Sequence, residues 1–280
     1  MRATNGRELL DAKPRTSRPM HEPYNHVHVR KFARASSVFA IAAFAALVMS
    51  GCFIGGNGPL ERVGETQTEN ISVPASGAKQ VHAHLQMAAG EIDISGGSAK
   101  LCDGSITYNV PEWKPDLSYS VNDAQGSLMI MQPESHHTTF GGTKYAWDLH
   151  FNNKIPLELA VEMGAGDSKL NLADLQLRDL NVKVGAGDAT IDLTGNWNQD
   201  VTATLQGGVG DLRLKLPRGM SVRVTVQGGI GSVEAPDFKR NGSEYVNDAY
   251  AQGKPTINVS ISGGIGDVHL ELAGSPRGIV

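Results

Sequence analysis

The sequence predicts an all-β protein: a β-helix-like solenoid of stacked coils of about 21 residues, preceded by a small antiparallel β subdomain. Three observations carry that expectation. A Gly-x-Gly-Asp motif recurs as GAGD at 164–167 and 185–188, GVGD at 208–211, GIGS at 229–232 and GIGD at 264–267, at spacings of 21, 23, 21 and 35 residues. Apolar and polar residues alternate in a fixed phase to each copy, and amphipathic-helix signals are almost absent.

The phase is the stronger signal. Counting back from the first glycine of each copy, apolar residues fall at odd offsets, as in Leu159, Val161 and Met163 before Gly164 or Val201, Ala203 and Leu205 before Gly208. Counting forward from the fourth motif residue, they fall at odd offsets again, as in Ala189, Ile191 and Leu193 after Asp188 or Leu212, Leu214 and Leu216 after Asp211. One buried face is therefore expected on both sides of every turn, with successive coils ~4.8 Å apart. Each fully buried Leu, Ile or Val contributes ~1.5–3 kcal/mol, and no single coil closes its own core.

Taken in chain order, residues 1–51 read as an export signal. Arg30, Lys31 and Arg34 precede the apolar run Val38–Met49, which is too short for a stable membrane span. Ser50 and Gly51 before Cys52 resemble the lipobox of bacterial lipoproteins, which makes Cys52 the acylated N-terminus. The uncleaved signal anchor is the weaker alternative. Residues 1–19 read as an extension ahead of a start at Met20. Phe53 in place of Asp after the acylated cysteine resembles lipoproteins sent to the outer membrane where the host has two membranes; otherwise the expected site is the outer face of the cell membrane.

Without residues 1–51 the chain keeps 17 basic and 26 acidic residues, a net charge of −9. That argues against nucleic acid or anionic lipid as a partner, since both demand a basic face. Cys102 has no cysteine partner once Cys52 is acylated, and reads as a small buried apolar residue.

Residues 52–72 are Gly-rich and polar, and are expected to form a tether. Residues 73–160 form the N-terminal β subdomain, in which MAAGEID (87–93) is a degenerate earlier copy of the motif, and 134–145 reads as a loop. Residues 161–274 form the repeat solenoid. Its insertion 236–255 carries Phe238, Tyr245 and Tyr250, which are expected to pack back on the coils and cap them.

The segments LQMAAGEIDI, ITYNVPEWKPDLSY, GSLMIMQP, the long run from Trp147 to Gly195, and the closing GGVGDLRLKLP, GGIGSVE and GGIGDVHLEL resemble the toast-rack family of bacterial envelope proteins, from about Val81 to Leu272. Related domains occur in candidate adhesins and in regulators of the response to cell-wall-active antibiotics. The resemblance implies a rack of strands with no enzyme activity, no cofactor and no functional residues to transfer.

Sharper readings of the motif are weaker. A phosphate site needs the glycines to open a helix, and every copy here leads into another strand. Calcium is suggested by a column of Asp167, Asp188, Asp211 and Asp267, but Ser232 breaks the column and one carboxylate per coil does not supply six to eight oxygens. His82 and His84 share the outward face of one strand without a clear third ligand, and His136 and His137 lie in the loop. No nucleophile elbow, zinc helix or carboxylate pair appears, so neither catalytic nor metal residues are expected.

These readings converge on a lipid-anchored cell-envelope protein acting as a non-catalytic scaffold or adhesin-like module. Its partners are the membrane, through acyl chains on Cys52, and an envelope protein or surface polysaccharide. One alternative is a regulator of envelope stress acting through a membrane partner. The other is a polysaccharide-binding or polysaccharide-cleaving β-helix.

Overall fold

An unbroken strand places residues an even number apart on one face. Met163 and Ser168 are an odd number apart, yet both are buried, and Ala165 between them is exposed. The chain therefore turns a corner within GAGD. The same parity change occurs around GAGD at 185–188, between buried Val184 and Ala189. Repeated corners divide the strands into two sheet regions that share one hydrophobic core.

The structure, a computed structural model, describes residues 63–134, 142–250 and 256–274, all within one compact unit. The export signal, Cys52, His136 and His137 lie outside the described residues. The strands in chain order are β1 (Gln67–Val73), β2 (Gln80–Ser98), β3 (Cys102–Tyr108), β4 (Asp116–Asn122), β5 (Gln125–Met131), β6 (Tyr145–Asn152), β7 (Pro156–Asn171), β8 (Gln176–Ala186) and β9 (Ala189–Asp192). They continue as β10 (Val201–Val209), β11 (Leu212–Pro217), β12 (Ser221–Gln227), β13 (Val233–Glu234), β14 (Lys239–Asn241), β15 (Glu244–Val246), β16 (Thr256–Ser262) and β17 (Val268–Ala273). The architecture is an all-β, non-barrel solenoid of mixed parallel and antiparallel pairing.

Before the corners the strands lie side by side in the order β4-β5-β2-β7-β8-β10-β16-β12-β15-β14. After the corners the order is β1-β3-β6-β2-β7-β9-β11-β17-β13. Strands β2 and β7 run through the corner and belong to both regions. The middle of each region is parallel, as coil stacking requires, and antiparallel strands flank it: β4 at one end, the β14–β15 hairpin at the other, and β3 with β1 beyond β6.

The stack does not follow chain order. Chain order would place the GIGS winding directly on the GVGD winding and the C-terminal winding beyond it, with the extra residues 236–255 leaving the coil as a loop. Instead β16 lies between β10 and β12, pairing Ala203 with Val259 on one side and Val259 with Val224 on the other. Likewise β17 lies between β11 and β13. The C-terminal winding is thus threaded between two windings that precede it. Neighbouring windings are offset by 21, 23, 56 and 35 residues along the stack.

Two further departures concern the N-terminal part. Residues 67–72, assigned to the tether by their polar composition, form strand β1 together with Val73: Ile71 and Val73 alternate into the core and the strand pairs with β3. The expected antiparallel subdomain contains antiparallel pairs, but β5 and β6 both run parallel to β2, and β2 runs parallel to β7 over Val81–Ile94. The expected division between residues 160 and 161 falls inside β7.

The alternation itself is realised. Val182 and Leu205 are 2% exposed and Ile191 and Leu214 fully buried. Within the 236–255 insertion, Tyr245 is buried, Phe238 packs on the core, and β15 pairs with β12. Buried Asn247 fixes this cap. Its amide oxygen accepts from Val222 N–H at 3.1 Å and its Nδ2 donates to the Met220 carbonyl at 2.6 Å.

The glycines permit backbone to lie directly on backbone. Gly187 has φ +128°, and a Cβ added there would overlap the Gly166 carbonyl of the winding beneath. Both the dihedral and the contact reject a side chain. Gly207, in the same corner region, has open space around its missing Cβ. Gly187→Ala is expected to cost more than about 3 kcal/mol of stability, whereas Gly207→Ala changes it by less than about 0.5 kcal/mol, as read from denaturant midpoints.

Candidate functional site

The fourth motif residue closes each corner. Asp167 Oδ1 accepts from Asp188 N–H at 3.2 Å, Asp188 Oδ1 from Asp211 N–H at 2.9 Å, and Asp211 Oδ1 from Asp267 N–H at 2.8 Å. Asp267 Oδ1 then accepts from Ser232 N–H at 2.7 Å and from the Ser232 hydroxyl at 2.9 Å. Each carboxylate thus satisfies a corner amide of the next winding. Ser232 interrupts the column in chain order but ends it in space, since among the described residues β13 pairs with β17 alone. The hydrogen bonds from the Ser232 backbone and hydroxyl hold the Asp267 carboxyl below its usual value of 3.8.

The four aspartates weighed and set aside as calcium ligands on sequence grounds are therefore brought into one column, with one oxygen of each engaged by backbone. Among the described residues, no group of three or more His, Cys, Asp or Glu could hold a metal ion. His82 and His84 face outward on β2. His82 Nδ1 lies 2.6 Å from Glu158 Oε2, and His84 Nε2 lies 3.9 Å from Glu162 Oε1, too long for a hydrogen bond. Cys102 is fully buried in β3, and burial, with the Asp103 charge second, pushes its thiol up to about 12.

Three surface features flank the corners. A groove of about 810 Å³ runs along the stack just before the corners, over the outward side chains of Gln86, Glu162, Lys183 and Gln206. These four are consecutive partners across β2, β7, β8 and β10. Lys183 Nζ donates to Glu162 Oε1 at 2.8 Å, which lowers the Glu162 carboxyl below its usual range. Gly164, Gly185 and Gly208 leave backbone as part of the floor, and Trp113, Gln132, Pro133 and Glu134 also line the groove. Gln132 is structural as well, since its Oε1 accepts from Ala88 and Ala89 N–H at 2.8 and 3.2 Å.

A second groove of about 780 Å³, beyond the corner, carries Glu91, Asp93, Asp148, Asp167 and Asp188, with Lys169 paired to Asp93 at 3.4 Å. At the corners themselves, Val209, Ile265 and Ile230 stack in adjacent windings and are 54, 52 and 75% exposed. Sequence reasoning identified neither the grooves nor this ridge. A signal for the first groove existed: Glu162, Lys183 and Gln206 each stand two residues before the first glycine of a motif copy.

The profile of the N-terminal domain of toast_rack matches residues 62–215, more than half of the chain. The protein belongs to the toast-rack family. Residues 165–270 also match the C-terminal domain of the cell wall-active antibiotics response protein LiaF. The toast-rack chain is 32% identical to a candidate cell adhesion protein of Clostridium sporogenes, whose crystal structure superposes with a TM-score of 0.73 over 75% of this chain and all of that one. A candidate adhesin of Bacteroides fragilis is 13% identical, with a TM-score of 0.31 over 76% of this chain and all of that one. A candidate lipid binding protein of Parabacteroides distasonis is also 13% identical, with a TM-score of 0.22 over 73% of this chain and 97% of that one. No curated protein matches the sequence.

The toast-rack corner makes two measurable statements. Asp188→Ala removes one acceptor worth about 1 kcal/mol and is expected to lower Tm by about 2–4 °C for a domain of this size. Because the Asp267 carboxyl is depressed in the folded state, its contribution is present above pH 3.8 and is lost as the pH falls through its lower folded value. Asp267→Asn is therefore expected to be less stable than the parent at pH 6, with the difference shrinking below pH 3.8 in thermal melts.

Proposed function

We propose that the mature toast-rack chain, beginning at an acylated Cys52, is a lipid-anchored, non-catalytic interaction module of the cell envelope. The observation that carries this reading is where the fold spends its motif. The repeated glycines and aspartates are consumed in joining windings, leaving a regular outward surface for contact. The likeness to the Clostridium protein, whose own description is cell adhesion, supports the adhesin-like version. Stacked coils of roughly constant length, with the insertion as a cap, form the scaffold that presents this surface. The four corner aspartates serve the scaffold and need no calcium. The anchor places the module on the outer membrane where the host has two membranes, and on the outer face of the cell membrane otherwise.

A second reading, an envelope-stress regulator acting through a membrane partner, is favoured by the match of residues 165–270 to the LiaF C-terminal domain. The two differ in what they bind. An adhesin-like module retains whole cells or isolated cell-wall material, whereas a regulator is recovered with a sensor protein from crosslinked membranes.

The anchor is tested by fractionating cells that express the full chain. Cys52→Ser is expected to abolish labelling by a fatty-acid probe and to stop the mature protein partitioning with the membrane. Unchanged labelling would refute the anchor. The interaction reading is tested by incubating the mature chain with isolated envelopes. Sedimentation with them supports it, and recovery with neither envelopes nor a membrane partner rejects both versions.

A further inference from the structure

The groove before the corners has a composition that selects among ligand chemistries. Its four-residue row, Gln86, Glu162, Lys183 and Gln206, crosses three inter-strand steps of ~4.8 Å, giving a linear track about 14 Å long. The two amides each offer donors and an acceptor, and the ion pair between them offers both kinds of group again. The single ammonium among the lining residues, that of Lys183, is already paired to Glu162, and Glu134 adds a further carboxylate. A phosphate or polyanionic chain would meet more negative than positive charge.

A peptide adding as a β-strand is also disfavoured, because the strands beneath are paired on both sides: β7 with β2 and β8, and β8 with β7 and β10. No free ladder is left for strand addition. The bulky exposed aliphatics Val209, Ile265 and Ile230 are not among the lining residues, and the apolar lining, with Met87, Trp113, Pro133, Met163 and Val184, is interleaved with the polar row, so a wholly apolar segment would leave that row's polar groups unpaired. What remains suited to the track is a chain that hydrogen-bonds through many uncharged hydroxyls or amides and presents apolar C–H faces. Trp113, half-buried against Tyr145 at a ring separation of 5.7 Å, adds an aromatic to the lining for such a face.

We propose that this groove binds an uncharged, hydroxyl-rich glycan lying along the stack, with Gln86 and Gln206 bonding it on either side of the Glu162–Lys183 pair and Trp113 contributing apolar contact. The proposal rests on the interaction-module reading and adds its ligand class and site. The corner aspartates, each with one oxygen bonded to the next winding, build the scaffold, while the outward row that stands two residues before the first glycine of each motif copy does the recognition.

The test is calorimetric titration of the mature chain with tetramers of N-acetylglucosamine, glucose and galacturonate. Saturable binding of at least one neutral tetramer, tighter than of galacturonate, is expected. Gln206→Ala should weaken that binding about fivefold, the equivalent of one net hydrogen bond, and Gln86→Ala with Gln206→Ala should weaken it by more than about tenfold. Both glutamines are exposed, and thermal melts matching the parent would show that the variants fold. The proposal is overturned if neither neutral tetramer binds at millimolar concentration, if galacturonate binds more tightly, or if the double variant binds like the parent. Envelope sedimentation separates the two levels. If the double variant sediments with envelopes as the parent does, the groove assignment fails while the interaction module stands. If the parent itself does not sediment, the module reading fails.

Discussion

Everything in this fold depends on how closely one winding can lie on the next at the corner. The carbonyl of one glycine sits where the next winding's glycine would carry a side chain, as at Gly166 under Gly187 and Gly187 under Gly210. Backbone hydrogen bonds continue on both sides of the bend, and at the corner itself the amides of Asp188, Asp211, Asp267 and Ser232 find their acceptor in the aspartate of the neighbouring winding. The two residue types are a pair: glycine makes the approach possible and aspartate satisfies the polar group the approach exposes. Away from the corner, the aliphatic stacks supply most of the stabilisation, since they remove the largest apolar area from water.

Much of this was legible in the sequence because it is local. Alternation at period two, with its phase reset by each Gly-x-Gly, identifies Leu180, Val182, Ile191, Leu205 and Leu214 as inward, and they are. The reading of the glycines as corner residues rather than as a phosphate site rests on the same local logic, since each copy leads into a strand. The order of stacking was not legible. Every winding offers its neighbours the same aliphatic face, so the pattern is indifferent to which winding lies next to which. The C-terminal strands could equally have stacked last, with residues 236–255 looping out between windings and packing back as a cap. The one residue that registers the true order is Ser232. It stands where the other copies have Asp because its winding, not the C-terminal one, ends the column. Strand β1 was missed for a related reason: only Ile71 and Val73 point inward, too few to stand out from a polar stretch.

The site was the least legible part. A groove is made by what several windings place side by side, and its residues, Gln86, Glu162, Lys183 and Gln206, are ordinary polar residues when taken one coil at a time. Their common offset from the glycines gains meaning only when β2, β7, β8 and β10 are seen to be consecutive neighbours. The same division of labour shows in the titratable groups prominent in the sequence that lie among the described residues. Cys102 is sealed in the core, His82 is bonded to Glu158, and the aspartates are occupied with backbone.

Threading of the C-terminal winding between its predecessors is the feature that most sharply distinguishes this architecture from a stack wound in chain order, and paired cysteines on the outward face address it directly. Thr204 and Ser260 are register partners, as are Ser260 and Thr225, whereas Thr204 and Thr225 are separated by the intervening strand. Adjacent strands hold Cα atoms within disulfide reach, and strands two apart, at ~10 Å, do not. Under mild oxidation, Thr204→Cys with Ser260→Cys and Ser260→Cys with Thr225→Cys should crosslink, and Thr204→Cys with Thr225→Cys should not. Efficient crosslinking of 204 to 225, with neither reacting with 260, would contradict the account.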